Sequence, residues 1–321
     1  MPLDPDLAAF LELVEANIIS GEKPEMHTLT PEKARREYDV STQFLDVPGI
    51  PVGSITTLSI PCRDGQSINA RLYKPAQLIE TADPLPVLLY FHGGGYCIGG
   101  LDSHDSLCRS LAELTPCCVL NVAYRLAPEH RFPTAVYDAQ DAYQWVLSAG
   151  SDYDLDVTRL AVGGDSAGGT LATGLTIAAH TENWPQPVRQ VLLYPCTSVW
   201  QNTESHRRFA QGYLLEAKTL QWMFTNYLRT DADRADWRFA PLQASDLGDL
   251  APVFLVLAEY DPLLDEGIAY AEKLRAAGIL TLVKIYSGMT HDFARLGNIV
   301  NEADQVRKDI ARELANAFYA R

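Results

Sequence analysis

Apolar positions along this chain follow two periods. Short runs rich in β-branched and aromatic residues fall at Ile55–Ile60, Ile68–Tyr73, Val87–Phe91, Cys118–Ala123, Leu160–Val162, Val188–Tyr194, Val253–Leu257 and Leu280–Tyr286, and predict eight strands. From the third onward they alternate with stretches of helical period at Asp105–Leu114, Ala135–Leu147, Ala167–His180, Leu263–Ala277 and Glu302–Phe318. Strand–helix alternation of this length implies an α/β fold with a mainly parallel sheet flanked by helices on both faces. Arg63-Asp64-Gly65 between the first two runs is a hairpin signal, so the sheet is expected to open with an antiparallel edge. Gly278 is expected to stop its helix in a left-handed conformation.

Two stretches break the rhythm. Residues 1–45 read as two amphipathic helices joined by Gly21–Thr30, and residues 197–250 as polar loops around a helix at Glu216–Leu228. Together they predict a two-part helical cap over a core made of residues 46–196 and 251–321.

Composition narrows the function classes. With 321 residues and 47% apolar content the chain can fill a large core, and its net charge of −15 disfavours nucleic acid and anionic membrane as partners. No run approaches the roughly 18 apolar residues of a membrane span, and the N-terminus carries no secretory pattern, so cytoplasmic residence is expected. The six cysteines lack C-x-x-C spacing and are expected as reduced, mostly buried thiols, Cys117 and Cys118 as core packing.

The chemistry is concentrated in four places. Gly164-Asp-Ser166-Ala-Gly168-Gly169 stands between a strand and a helix, the context in which a serine projects from a sharp turn with glycines two residues either side relieving the clash. The alternative is a Gly-rich turn holding phosphate at a helix N-terminus. His92-Gly93-Gly94-Gly95 follows a strand, and its backbone N–H groups, with that of Ala167, could stabilise an oxyanion; His92 itself reads as bonded to neighbouring backbone. Asp261 follows the strand Val253–Leu257, before a helix started by Pro262 that it is also expected to cap, with Asp265 as runner-up. His291 lies in the loop before the last helix. The order Ser166, Asp261, His291 supplies a nucleophile, an orienting acid and a base.

These residues resemble the bacterial hormone-sensitive-lipase family of α/β-hydrolase carboxylesterases. The likeness runs from about residue 55 to the end. It rests on Tyr90-Phe-His-Gly-Gly-Gly-Tyr96, Tyr124-Arg-Leu-Ala-Pro-Glu-His130, Phe132-Pro133, Gly164–Gly169, Leu193-Tyr-Pro195, Asp261-Pro-Leu and His291-Asp-Phe. The resemblance implies an α/β-hydrolase fold and places Gly93, Gly94 and Ala167 in the oxyanion hole. It also makes the two irregular stretches the family's cap. Asp292 departs from the family's usual glycine.

The expected function is hydrolysis of short- to medium-chain carboxylic esters through an acyl-enzyme, with no cofactor and no metal. The partner is a small-molecule ester, and a homodimer is left open. A catalytically silent receptor on the same fold and an interfacial lipase are the alternatives. Tyr194 is expected to wall the acyl pocket. Asp102-Ser-His104-Asp105 reads as a helix N-cap rather than a metal site, Arg207-Arg208 as a solvated pair, and Asp138 with Asp141 as contacts to arginine or backbone.

Overall fold

The computed structural model describes residues 2–76 and 84–319. Among them eight strands form one sheet: β1 Ser54–Pro61, β2 Ser67–Lys74, β3 Leu85–Phe91, β4 Cys118–Ala123, β5 Leu155–Asp165, β6 Gln190–Leu193, β7 Val253–Tyr260 and β8 Thr281–Thr290. The order is β1-β2-β4-β3-β5-β6-β7-β8. β1–β2 and β2–β4 pair antiparallel and the rest parallel, as the hairpin signal and the alternation imply.

Side-chain alternation builds a core on each face. Val87, Leu89, Phe91, Val253, Leu255 and Leu257 point to one side, which is covered by α4 (Thr134–Ala149), α5 (Ala167–Thr181) and α8 (Leu264–Ala276). Leu88, Tyr90, Phe254, Val256 and Ala258 point to the other, against α3 (Asp105–Leu114) and α9 (Glu302–Tyr319). The central strands are therefore buried almost throughout, while the edge strand β1 is mostly exposed. Gly278 adopts φ +83° after α8, and its N–H and that of Ile279 bond back to Arg275 and Leu274, which closes the helix as expected.

The chain steps from β3 outward to β4 and returns to place β5 on the other side of β3. Ligands bind outside the carboxyl ends of strands where the order reverses in this way. The register Tyr90↔Gly163 and Phe91↔Gly164 brings the ends of β3 and β5 side by side, so the Gly93–Gly95 loop and the Ser166 turn open onto one crevice.

The irregular stretches are helical. α1 (Pro5–Ile19) and α2 (Pro31–Leu45) precede the sheet, and the turn Met26–Thr28 between them packs on α7 (Ala217–Tyr227). Besides α7, the later stretch holds the short α6 (Glu204–Arg208) and isolated 3₁₀ turns. No described helix is long and apolar enough to cross a membrane. All six cysteines are buried and free.

Candidate active site

Ser166 sits in the turn from β5 into α5 with φ +53° and ψ −121°, a strained conformation for a residue with a side chain. The flanking glycines are steric requirements. A Cβ on Gly168 would lie 1.9 Å from the Phe91 carbonyl oxygen, and one on Gly164 would lie 2.4 Å from the Gly168 carbonyl carbon. The turn can pass between β3 and α5 only without those atoms, and the hydroxyl is thereby thrust above the sheet.

His291 follows β8, with Nε2 3.0 Å from the Ser166 Oγ and Nδ1 2.7 Å from Asp261 Oδ2. An ionised Asp261 requires the proton on Nδ1, which leaves the Nε2 lone pair facing the hydroxyl. Burial alone would lower the pKa of His291; the charge and hydrogen bond of Asp261, then the charges of Asp292 and Asp165, outweigh it and raise the imidazole above its ordinary value. Asp261 also accepts from the Leu263 N–H at 2.8 Å. It does not cap α8 in the expected way: the helix begins at Leu264 rather than at Pro262. Asp265 turns away and accepts the Ser205 N–H at 2.8 Å, holding α6.

The glycine loop requires a correction. The Gly93 N–H donates to Asp165 Oδ1 at 3.0 Å, so it is spent inside the fold and unavailable to an oxyanion. Gly94 and Gly95 line the cavity beside Ser166 and Ala167. A Cβ on Gly94 would lie 2.2 Å from the Ile98 carbonyl oxygen, and one on Gly95 would lie 2.1 Å from the Met223 sulfur. Gly95 belongs to the run of glycines that the sequence offers, although the family resemblance singles out only Gly93 and Gly94.

Asp165 organises this loop. It is buried and accepts from the Tyr90 hydroxyl at 2.7 Å and from His104 Nε2 at 3.1 Å, while His104 Nδ1 meets Ser103 Oγ at 2.9 Å. Burial opposes the Asp165 charge, but attraction to His104 and the bonds from His104 and Tyr90 hold the carboxyl below its usual range. His104 stands at the N-cap of α3 without capping it through its side chain, which is committed to Asp165 instead. His92 stacks on Tyr124 with ring centroids 4.3 Å apart, and burial beside His104 drives it down to about 3, so it packs as a neutral ring. No group of three or more potential metal ligands converges among the described residues.

The crevice is a cavity of about 390 Å³. Phe10, Leu11 and Val14 of α1, Tyr38 of α2, and Leu220 and Met223 of α7 make much of its wall, with Ser166 and His291 at its floor. Tyr194 is not in that wall. Its φ of +35° turns it beneath His291, with ring centroids 4.7 Å apart and its hydroxyl without a hydrogen-bond partner, so it supports the imidazole from behind. A second, more polar cavity of about 430 Å³, between Glu204, Arg208, Glu259 and Asp265, is lined by none of Ser166, His291 and Asp261.

A family profile described as the alpha/beta hydrolase fold matches residues 88–295. The chain belongs to the α/β-hydrolase family. Its motifs place it with the hormone-sensitive-lipase-like members. It is 45% identical over 307 residues to ethyl acetate hydrolase from Pseudomonas putida, covering 95% of this chain and 96% of that protein. It is 43% identical over 248 residues to the carboxylic ester hydrolase LipN of Mycobacterium tuberculosis, covering 75% and 65%. Among solved structures, an α/β-hydrolase enzyme from the metagenome of Lake Arreo, Spain, superposes with TM-score 0.94 at 35% identity, covering 98% of each chain. The hyperthermophilic esterase of Pyrobaculum calidifontis does so with TM-score 0.91 at 33% identity, covering 98% and 99%.

Within this α/β-hydrolase, Asp292 explains its own departure from glycine. Its φ is +66°, in the left-handed region that glycine occupies freely and Asp tolerates. Its carboxylate lies 2.9 Å from Arg295, which is buried and has every nitrogen engaged. Nε donates to the Ser103 carbonyl at 3.1 Å, Nη2 to Thr42 Oγ1 at 2.7 Å, and Nη1 to the Tyr38 hydroxyl as well as to Asp292. The buried pair Arg307–Asp46, at 2.6 and 2.8 Å, secures the end of α2 to α9. Nothing in the spacing of these residues signals their meeting; only the fold brings positions 38, 42, 103 and 295 together. Asp138 and Asp141 do find arginines, Arg125 at 2.5 Å and Arg63 at 2.8 Å, and Arg207 remains exposed beside Glu204.

Proposed function

We propose that this protein is a serine carboxylesterase acting on short- to medium-chain esters through an acyl-enzyme. The observation that carries the reading is the continuous chain Asp261–His291–Ser166, at 2.7 and 3.0 Å, ending at a serine on a strained elbow. Ser166 Oγ attacks the ester carbonyl carbon as its proton passes to His291 Nε2, and Asp261 holds and stabilises the imidazolium. The N–H groups of Gly94, Gly95 and Ala167 receive the oxyanion. Collapse expels the alcohol, which takes the proton from Nε2. Water, activated by the same imidazole, then attacks the acyl-serine, and the acid leaves. Every group that moves a proton or holds a charge belongs to the chain, so the reading calls for no cofactor.

Residues 1–45 and 197–250 act as the cap over a core of residues 46–196 and 251–321, keeping water from the crevice. The names of the relatives support ester hydrolysis, and the cavity volume supports acyl chains from acetyl to about hexanoyl. We assign the protein to the cytoplasm. Silent ligand binding is disfavoured because nucleophile, base and acid are all present in contact. One observation favours the lipase alternative: Leu13, Ile19, Val40 and Phe44 of α1 and α2 are more than half exposed.

A panel of p-nitrophenyl esters of graded acyl length, with and without an organophosphate, tests the proposal. Turnover that peaks at short chains and vanishes with the inhibitor is expected. No turnover of any neutral ester would overturn it, and a preference for emulsified long-chain triglyceride would favour the lipase.

A further inference from the structure

The cavity above Ser166 is uneven in charge as well as apolar in its walls. Of the described residues lining it, Glu15, Glu25, Glu37, Glu216 and Asp292 carry carboxylates outside the buried core, against Lys23 and the candidate base His291 as the basic side chains. Glu15, Lys23 and Glu37 are exposed at the mouth, and Glu25 and Glu216 are half-buried there. Arg295, the partner of Asp292, is buried, has all three nitrogens engaged by Ser103, Asp292, Tyr38 and Thr42, and is not among the described residues that line the cavity. Asp165 is likewise closed off by Tyr90, Gly93 and His104. A carboxylate or phosphate carried into this cavity would leave water, meet apolar walls and find no positive partner.

We infer that the site is built for esters that carry no anionic group in either half, accepting neutral and cationic substrates. The inference rests on the esterase reading and names its substrate class. Hydrolysis itself supplies the second consequence. A neutral ester and water give an alcohol and a carboxylic acid, which ionises above its ordinary pKa, so the product bears the charge that the mouth repels. Release of product and exclusion of anionic substrate are then one electrostatic property. Each exposed charge acts through water and is screened within a Debye length of about 8–10 Å at physiological salt, but four or five of one sign around one opening act together.

Ethyl butyrate, the monoanion of monoethyl succinate and ethyl 4-(trimethylammonio)butyrate share the ethyl ester and carry no charge, a negative charge and a positive charge at the far end of the acyl chain, and the salt dependence of each separates charge from size in the test. The inference predicts that kcat/KM for the anion falls at least about tenfold below the neutral ester at low ionic strength and recovers partly as salt is added, while the cation is favoured or equal and loses ground with salt. The combined replacement Glu15→Gln, Glu25→Gln, Glu37→Gln and Glu216→Gln should raise the anion-to-neutral ratio severalfold and flatten its salt dependence. Binding of the three esters to Ser166→Ala, read by calorimetry, should follow the same order without turnover. A ratio near one at all salt concentrations, or a ratio that the four replacements leave unmoved, overturns the inference while leaving ester hydrolysis intact. Failure of ethyl butyrate to turn over would instead remove the esterase reading, and the calorimetric order would still decide the charge preference.

Discussion

Replacing Asp292 with asparagine isolates one term in the electrostatics of His291. Asparagine tolerates the left-handed backbone that position 292 requires, at φ +66°, so the turn should survive the change. The base must be neutral to accept the Ser166 proton, and the acid limb of kcat/KM reports its ionisation in the free enzyme. Asp292 favours the imidazolium and contributes to the raised pKa of His291, so its removal moves the limb to lower pH. At an effective dielectric near 20 a unit charge is worth about 4 kcal/mol to an opposite charge at 4 Å, and less in proportion as the distance grows. The Arg295 guanidinium, 2.9 Å from that carboxylate, cancels most of this. The net shift is therefore downward and smaller than an unpaired carboxylate would give. Arg295→Met removes the opposing charge and should move the limb the other way, with a lower plateau because Tyr38 and Thr42 lose their anchor. The assay is kcat/KM for p-nitrophenyl acetate across the acid range at about 10 mM ionic strength, where screening is weak. Superimposable profiles for wild type and Asp292→Asn, or a shift upward, would refute the reasoning.

Asp261→Asn should lower kcat by about 10⁴-fold through the wrong imidazole tautomer, whereas Asp265→Asn, whose carboxylate holds the Ser205 N–H, should cost little activity and show instead as a lower Tm; a reversed pattern would exchange the two assignments. Deleting residues 2–20 strips Phe10, Leu11 and Val14 from the cavity while leaving Arg295 and Arg307 paired, so kcat/KM should fall by tenfold or more with a modest change in Tm. Extending the deletion through residue 45 takes Tyr38 and Thr42 from Arg295, and hydrogen bonds to a charged group are worth about 1.5–3 kcal/mol each, so chemical denaturation should show a marked further loss of stability.

The periodic features of this chain were the legible ones. Strands such as Val87–Phe91 and Val253–Leu257 announce themselves because central strands of a parallel sheet are buried on both faces. The elbow was legible because its glycines answer steric demands that are local in sequence, as the contacts at Gly164 and Gly168 demonstrate. The insertion of β4 between β2 and β3 was not, since strand order depends on packing between distant residues. The same limit explains the error at Gly93. Three glycines in a row look alike until Asp165, 72 residues later, takes the first N–H. Tyr194 was misplaced because its position at a strand end is visible in sequence, whereas the positive φ that folds it beneath His291 is not. Asp292 was noticed as a departure, but its partner Arg295 and the link through that arginine to α2 required the fold.

Active-site titration bears most directly on the central claim that Ser166 is the nucleophile. The protein is treated with a serine-directed organophosphate, and the adduct is counted by intact mass and located by peptide mapping. One phosphoryl group per chain on the peptide holding Ser166 is expected, with complete loss of esterase activity. Ser166→Ala should take up none, remain inactive and melt as a folded protein. An adduct on another residue, or substantial turnover by the folded Ser166→Ala protein, would contradict the account.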